Sequence, residues 1–175
     1  MKNELFISLF PLKTERLVIK LTTKEDIDLL LKLDKQIKTQ EFLGGIKNKT
    51  HEERIEFLQR KEDKHNKGII SSLTVFLKDE NIPIGFIGYK IDEENNSSEI
   101  SYIFDEDYTK KGYCTESVDK IINISLEKIK ISKIFADTVE KNENSKKLLI
   151  KLGFIKTTNR IENNVVFEEY EKYNN

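Results

Sequence analysis

The run Tyr108-Thr109-Lys110-Lys111-Gly112-Tyr113-Cys114-Thr115 places a glycine and two lysines between a polar loop and the best helical pattern of the chain. The first turn of a helix leaves backbone N–H groups without partners, at the positive end of the helix dipole. Such a turn attracts anions. Gly112 lets a phosphate approach the main chain closely. The small residues Cys114 and Thr115 keep the entrance open, and Lys110 and Lys111 add charge. One reading is a diphosphate cradle; the other is a glycine in a plain turn, and spacing alone leaves both open. Neither a Walker loop nor a GxGxxG loop is present.

Other reactive side chains are few. Cys114 is the single cysteine, so no internal disulfide and no cysteine-based metal cluster can form. A helix start lowers a thiol pKa, but no His or Asp is paired with Cys114 in sequence, and a covalent role is not expected. His51 and His65 sit in charged stretches without a companion at metal-ligand spacing. Both read as solvated, and no metal is expected. Lys plus Arg number 30 and Asp plus Glu 31, for a net charge of −1, which gives no general pull toward nucleic acid. No apolar run approaches the roughly 20 residues of a membrane span. Cysteine usage fits a reducing, cytoplasmic setting. Leu5 to Phe10 is too short for a signal-peptide core and reads as an initial strand or a packed arm. The 175 residues suit one domain, 1–175.

The elements that must position the loop follow from periodicity. Arg16 to Leu21 alternates as a strand. Thr23 caps a first helix through Ile27, Leu30, Leu31 and Asp34. Gly44-Gly45 breaks the pattern. Thr50 with Glu53 forms a capping box for a second helix ending near Gly68. Ile69–Leu77, Ile84–Ile91 and Ser98–Phe104, joined by short turns, predict an antiparallel meander. From Thr115, the residues Val118, Ile121, Ile122, Ser125, Leu126 and Ile129 predict a long amphipathic helix. Lys133–Val139 is a strand and Ser145–Leu152 a short helix closed by Gly153. Phe154–Arg160 and Val165–Tyr173 form a last hairpin around Asn163-Asn164. This order implies an α/β (α+β) fold built on a mixed sheet.

Five segments in this order carry a resemblance. Asp107 to Ser117 resembles the acetyl-CoA signature of the GNAT N-acetyltransferase superfamily, most closely its ribosomal-protein N-terminal alanine acetyltransferase branch. That branch typically reads Tyr-Trp-Gly-Lys-Gly-Tyr-Ala-Thr-Glu-Ala here. Thr14-Glu15-Arg16-Leu17 is similar to the branch's opening, Gly85-Phe86-Ile87-Gly88 to its Gly-x-Ile-Gly strand, and Glu99-Ile100-Ser101-Tyr102 to Glu-Ile-Gly-Tyr. Asn142-Glu143-Asn144-Ser145, with Leu148 to Phe154 behind it, resembles its Asn-x-x-Ser helix. The likeness spans residues 14 to 170. Thr109, Lys110 and Cys114 depart from the usual residues but leave the backbone amides in place.

The resemblance implies a mostly antiparallel sheet flanked by helices, with the cofactor in a splay between two central strands. It implies acetyl-CoA as co-substrate, its diphosphate on the loop of Thr109, Lys110, Lys111, Gly112, Tyr113, Cys114 and Thr115. It also implies that Tyr102-Ile103-Phe104 pairs with the pantetheine as an added strand, with Asn142 holding that arm from the other side. The expected reaction is acetyl transfer to a primary amine, on a peptide or a small molecule, in a ternary complex. A non-catalytic acyl-CoA-binding module is the alternative. Glu99 is the first candidate for general base and Asp137 the second. Many superfamily members protonate the leaving thiolate with a tyrosine seven residues after the Asn; that position is Leu149, so Ser145 becomes the candidate, or else a helix cap. The acceptor site would lie between Glu25–Asn66 and the last hairpin, where Glu162, Glu168, Glu169 and Glu171 offer acidic charge. Arg16 either faces that substrate side or braces the first strand. A homodimer is compatible with the sequence, and neither nucleic acid nor membrane is expected as a partner.

Overall fold

The computed structural model describes residues 1–174. Its sheet has eight strands in the order β1-β2-β3-β4-β5-β6-β8-β7. These are β1 (Leu12–Lys13), β2 (Leu17–Leu21), β3 (Ser72–Leu77), β4 (Pro83–Asp92), β5 (Ser97–Phe104), β6 (Lys133–Val139), β7 (Ile155–Glu162) and β8 (Val165–Tyr173). Every neighbouring pair is antiparallel except β5 with β6. The predicted meander is β3-β4-β5.

Helices cover both faces. On one face α5 (Tyr113–Asn123) buries Val118, Ile121 and Ile122 against Ile19, Val75, Ile87, Tyr89 and Ile100 of the sheet. The spacing of those helix residues gives one apolar stripe, and its burial is the main source of helix stability in water. On the other face α2 (Ile27–Lys35) packs Leu29 and Leu33 on Phe86, beside Ile103. A four-residue α3 (Ile37–Gln40) and α4 (His51–Asn66) follow. The capping box of α4 is as predicted, with Glu53 N–H donating to Thr50 Oγ1 and Thr50 N–H to Glu53 Oε2. The short α6 (Glu143–Lys151) precedes the last hairpin.

Several expectations need correction. The chain start is not a strand but a helix, α1 (Lys2–Ile7), packed as an arm: Phe6 is fully buried and stacks on Tyr89 with ring centroids 4.7 Å apart. His65 is buried, not solvated. Its Nε2 lies 3.4 Å from the Ser72 N–H and 3.3 Å from Ser71 Oγ, and burial pushes its pKa down. A histidine on the inner face of a charged helix was invisible to composition. The long helix is α-helical only to Asn123; Ile124–Lys128 forms a π turn. There Ser125 Oγ donates to Ile121 O at 2.6 Å and sits 2.5 Å from Tyr89 Oη, so a side-chain bond competes with the helical ladder.

Candidate active site

The parallel β5–β6 ladder is short. It joins Ser97 to Lys133, Ser98 to Ile134 and Glu99 to Phe135, and then stops. Ser101, Tyr102, Ile103 and Phe104 remain paired to β4 but have no ladder partner on the β6 side. The sheet therefore opens beyond Glu99, leaving an unpaired main-chain edge at Tyr102-Ile103-Phe104. An extended chain with amide groups can add to such an edge.

The loop after β5 ends at that opening. Gly112 starts α5 with φ +83°, and Lys110 has φ +59°. The N–H groups of Lys110, Lys111, Gly112, Tyr113, Cys114 and Thr115 find no acceptor among the described residues. Thr109 is the exception to expectation, because its N–H is bonded to Glu106 O at 3.3 Å and its hydroxyl to the same oxygen. The free run thus begins one residue later than the resemblance implies. Unpaired donors at the start of a helix are the kind of arrangement that attracts an anion.

Two braces hold this loop, and one was only half legible in sequence. Arg16 Nε donates to Glu116 Oε2 at 2.7 Å, Arg16 Nη1 to Lys111 O at 3.1 Å, and the guanidinium lies 4.5 Å from the Tyr113 ring centroid. Glu116 also accepts from Thr14 Oγ1 and Arg16 N–H. Arg16 therefore braces the chain before β2 against this loop. The second brace was missed. Asp105 is buried at the end of β5, and its carboxylate accepts from Lys32 Nζ at 2.5 Å, Gln36 Nε2 at 2.6 Å and the Asp107 N–H. Burial pushes the Asp105 carboxyl up, yet these hydrogen bonds outweigh it and leave its pKa lowered. An Asp between a strand and a turn was the available signal.

On the far side of the opening, Asn142 caps α6, its Oδ1 accepting from Ser145 N–H at 3.2 Å. With Asn142 as the cap, the Ser145 hydroxyl is not used for capping. It lies 2.8 Å from Tyr102 Oη, across the opening between β5 and α6. Burial pushes the Tyr102 phenol well above its ordinary value, so it stays neutral. Leu149 is fully buried in the core, as a leucine in that place requires. Cys114 is half-buried, and burial pushes its thiol up, which argues against a thiolate nucleophile.

The candidate bases differ in company. Glu99 is exposed, and its side chain has no ion-pair or hydrogen-bond partner among the described residues. It lines a cavity of about 400 Å³ with Phe135, Asp137, Arg160, Glu169 and Glu171. Asp137 is paired to Arg160 Nη2 at 2.6 Å, so its charge is already committed. The acidic hairpin divides by strand alternation. Glu169 and Glu171 face the cavity, whereas Glu168 is buried on the other face with Lys156 and Tyr170, and Glu162 at the tip pairs with Arg160. Arg160 and Lys133 thus offset part of the expected acidity. Among the described residues no group of three or more potential metal ligands occurs, and no helix is long and apolar enough to cross a membrane.

Comparison with known proteins agrees with this geometry. The uncharacterised N-acetyltransferase p20 of Bacillus licheniformis is 27% identical over 146 residues, covering 83% of this chain and 82% of that protein. Two solved structures share the fold. The ribosomal-protein-S5-alanine acetyltransferase of Vibrio fischeri has a TM-score of 0.75 at 20% identity, covering 93% of this chain and 96% of its own. The spermidine N-acetyltransferase of Vibrio cholerae, in complex with CoA and spermine, has a TM-score of 0.79 at 13% identity, covering 92% and 97%. Residues 16–155 match the family described as acetyltransferase (GNAT) domain, and the chain belongs to that family of acyl-CoA-dependent N-acetyltransferases.

Proposed function

We propose that residues 1–175 act as one domain that transfers the acetyl group of acetyl-CoA to a primary amine. The observation that carries this reading is the opening of the β5–β6 ladder at Glu99, beside six unpaired amides at Lys110–Thr115. The amides of the loop take the diphosphate, and the free edge of Tyr102-Ile103-Phe104 takes the pantetheine, with Asn142 on the opposite side. Thr109 contributes by shaping the turn.

The acceptor amine approaches from the cavity lined by Glu99, Phe135 and Asp137. Glu99, free of an ion pair, takes a proton from the amine. The nitrogen forms its bond to the carbonyl carbon, the carbon–sulfur bond breaks, and the electron pair leaves on sulfur. A backbone N–H at the end of β5 polarises the carbonyl. Ser145 offers its hydroxyl to the sulfur, and the proton lost by the amine returns to it through Glu99 and solvent. Alignment of amine and thioester supplies much of the acceleration. Asp137 helps hold the cavity through Arg160. A peptide N-terminus and a small polyamine both fit this open, mixed-charge face, and a cytoplasmic setting suits the co-substrate.

Thiol release from acetyl-CoA in the presence of spermidine, free amino acids and an alanine-terminated peptide tests the reading. Release with any of these supports transfer. Thermal stabilisation by acetyl-CoA without release for any amine would instead favour a non-catalytic acyl-CoA-binding module. No response to CoA would overturn both.

A further inference from the structure

Leu149 occupies the helix position from which a phenol would be expected, yet a phenol is present at the same opening. It comes from β5. Tyr102 Oη and Ser145 Oγ are 2.8 Å apart, joining the strand to the first turn of α6 across the gap where β5 and β6 have separated. We propose that Tyr102 is a positioning residue that fixes the Ser145 hydroxyl as a hydrogen-bond donor to the departing CoA sulfur. This rests on the acetyltransferase reading above.

The argument is one of donor counting. Two hydroxyls in contact share one hydrogen between them, and whichever donates leaves the other free to donate elsewhere. Burial keeps the Tyr102 phenol protonated. A phenol is the more acidic hydroxyl, and so the better donor. Tyr102 therefore donates to Ser145 Oγ, and the Ser145 hydrogen is directed away from Tyr102. The Ser145 backbone cannot rotate this arrangement away, because its N–H is held by Asn142 Oδ1. A donor already polarised by a second hydroxyl is stronger than an isolated serine. When the carbon–sulfur bond breaks, the charge on sulfur meets a preoriented O–H rather than one that must first reorganise. Neither hydroxyl gives up its proton permanently. The other titratable groups whose fields reach Tyr102 are Cys114 on α5 and Tyr170 on β8, and burial raises the pKa of both, so they remain neutral beside it.

A binding experiment tests this without any acceptor. CoA is bound to the protein, and its thiol is titrated through the ultraviolet absorbance of the thiolate. In the parent chain the bound thiol should ionise at lower pH than in Tyr102→Phe or Ser145→Ala. Tyr102→Phe should lie between the parent and Ser145→Ala, and the double variant should coincide with Ser145→Ala. In turnover with an accepted amine, Tyr102→Phe should lower kcat about tenfold or more while the KM for acetyl-CoA stays within a factor of about two. Identical thiol titration in the parent and Tyr102→Phe, or additive losses in the double variant, would overturn the role of Tyr102 alone. Failure of the parent chain to bind CoA would overturn the acetyltransferase reading itself, and this inference with it.

Discussion

Arg16, the residue before β2, and Glu116 in the first turn of α5 meet at 2.7 Å, one hundred residues apart in sequence, and the same guanidinium holds the carbonyl of Lys111. The pair ties the edge half of the sheet to the loop that is proposed to hold the diphosphate. Glu116 accepts three hydrogen bonds, from Thr14 Oγ1, Arg16 N–H and Arg16 Nε. Glu116→Ala would leave Arg16 without its carboxylate and the loop without its brace. Thermal denaturation should show a loss of a few degrees, and calorimetry a weaker CoA affinity. An unchanged affinity in Glu116→Ala would show that the loop holds its shape without Arg16.

The same carboxylate gives a pH dependence. Burial pushes the Glu116 carboxyl up, but the bonds from Thr14 and Arg16 outweigh it and its pKa lies below the ordinary value. A group whose folded pKa is depressed contributes stability above its unfolded pKa, near about 4.3 for Glu, and loses it as pH falls through the folded value. Asp105 and Glu171 act in the same sense, while Asp26, raised by desolvation, acts in the opposite one. The melting temperature should therefore fall steeply as pH drops below about 4. Glu116→Gln should flatten that fall, and an equally steep profile in the variant would exclude Glu116 as a contributor.

The parts of this site that were legible in sequence are those fixed by local chemistry. Gly112, Thr50 with Glu53, and the β3-β4-β5 meander depend on residues near one another, and their patterns state the backbone they need. The family resemblance supplied the opening between β5 and β6, which periodicity could not. Contacts set by tertiary approach stayed hidden. Asp105 with Lys32 and Gln36, Glu116 with Arg16, and Tyr102 with Ser145 each join segments that are 43 to 100 residues apart. His65 and Glu168 were misread because charged neighbours hide which face of an element points inward. The alternation of β8, which sends Glu168 inward and Glu169 outward, can be assigned only once its partner β6 is known.

Gly112 combines two requirements. Its φ of +83° is one that L side chains adopt at a cost, and a Cβ built there would lie 3.3 Å from Arg16 Nη2. Gly112→Ala should therefore cost about 1–2 kcal/mol of stability from backbone strain and weaken CoA through displacement of the adjacent amides. Gly112→Asp adds a carboxylate beside the expected diphosphate, and like charges at short range repel. CoA affinity measured by calorimetry should fall more in Gly112→Asp than in Gly112→Ala. Equal affinities in the two variants would place the diphosphate elsewhere.

Glu99 and Asp137 offer the final contrast, because both carboxylates line one cavity but only Asp137 is paired. A general base needs a carboxylate oxygen open to the amine, and the Arg160 guanidinium occupies one oxygen of Asp137. Glu99→Gln keeps the size of the side chain and removes its basicity. Turnover should fall by about a hundredfold or more, the range for loss of a general base, with CoA affinity unchanged. The low-pH limb of the kcat/KM profile should vanish with it. Asp137→Asn should act differently, leaving Arg160 with Glu162 and Glu169 alone and altering KM for the amine more than kcat. If Glu99→Gln retains the parent's rate and pH profile while Asp137→Asn loses both, the base is Asp137 and the amine enters from the β8 side of the cavity.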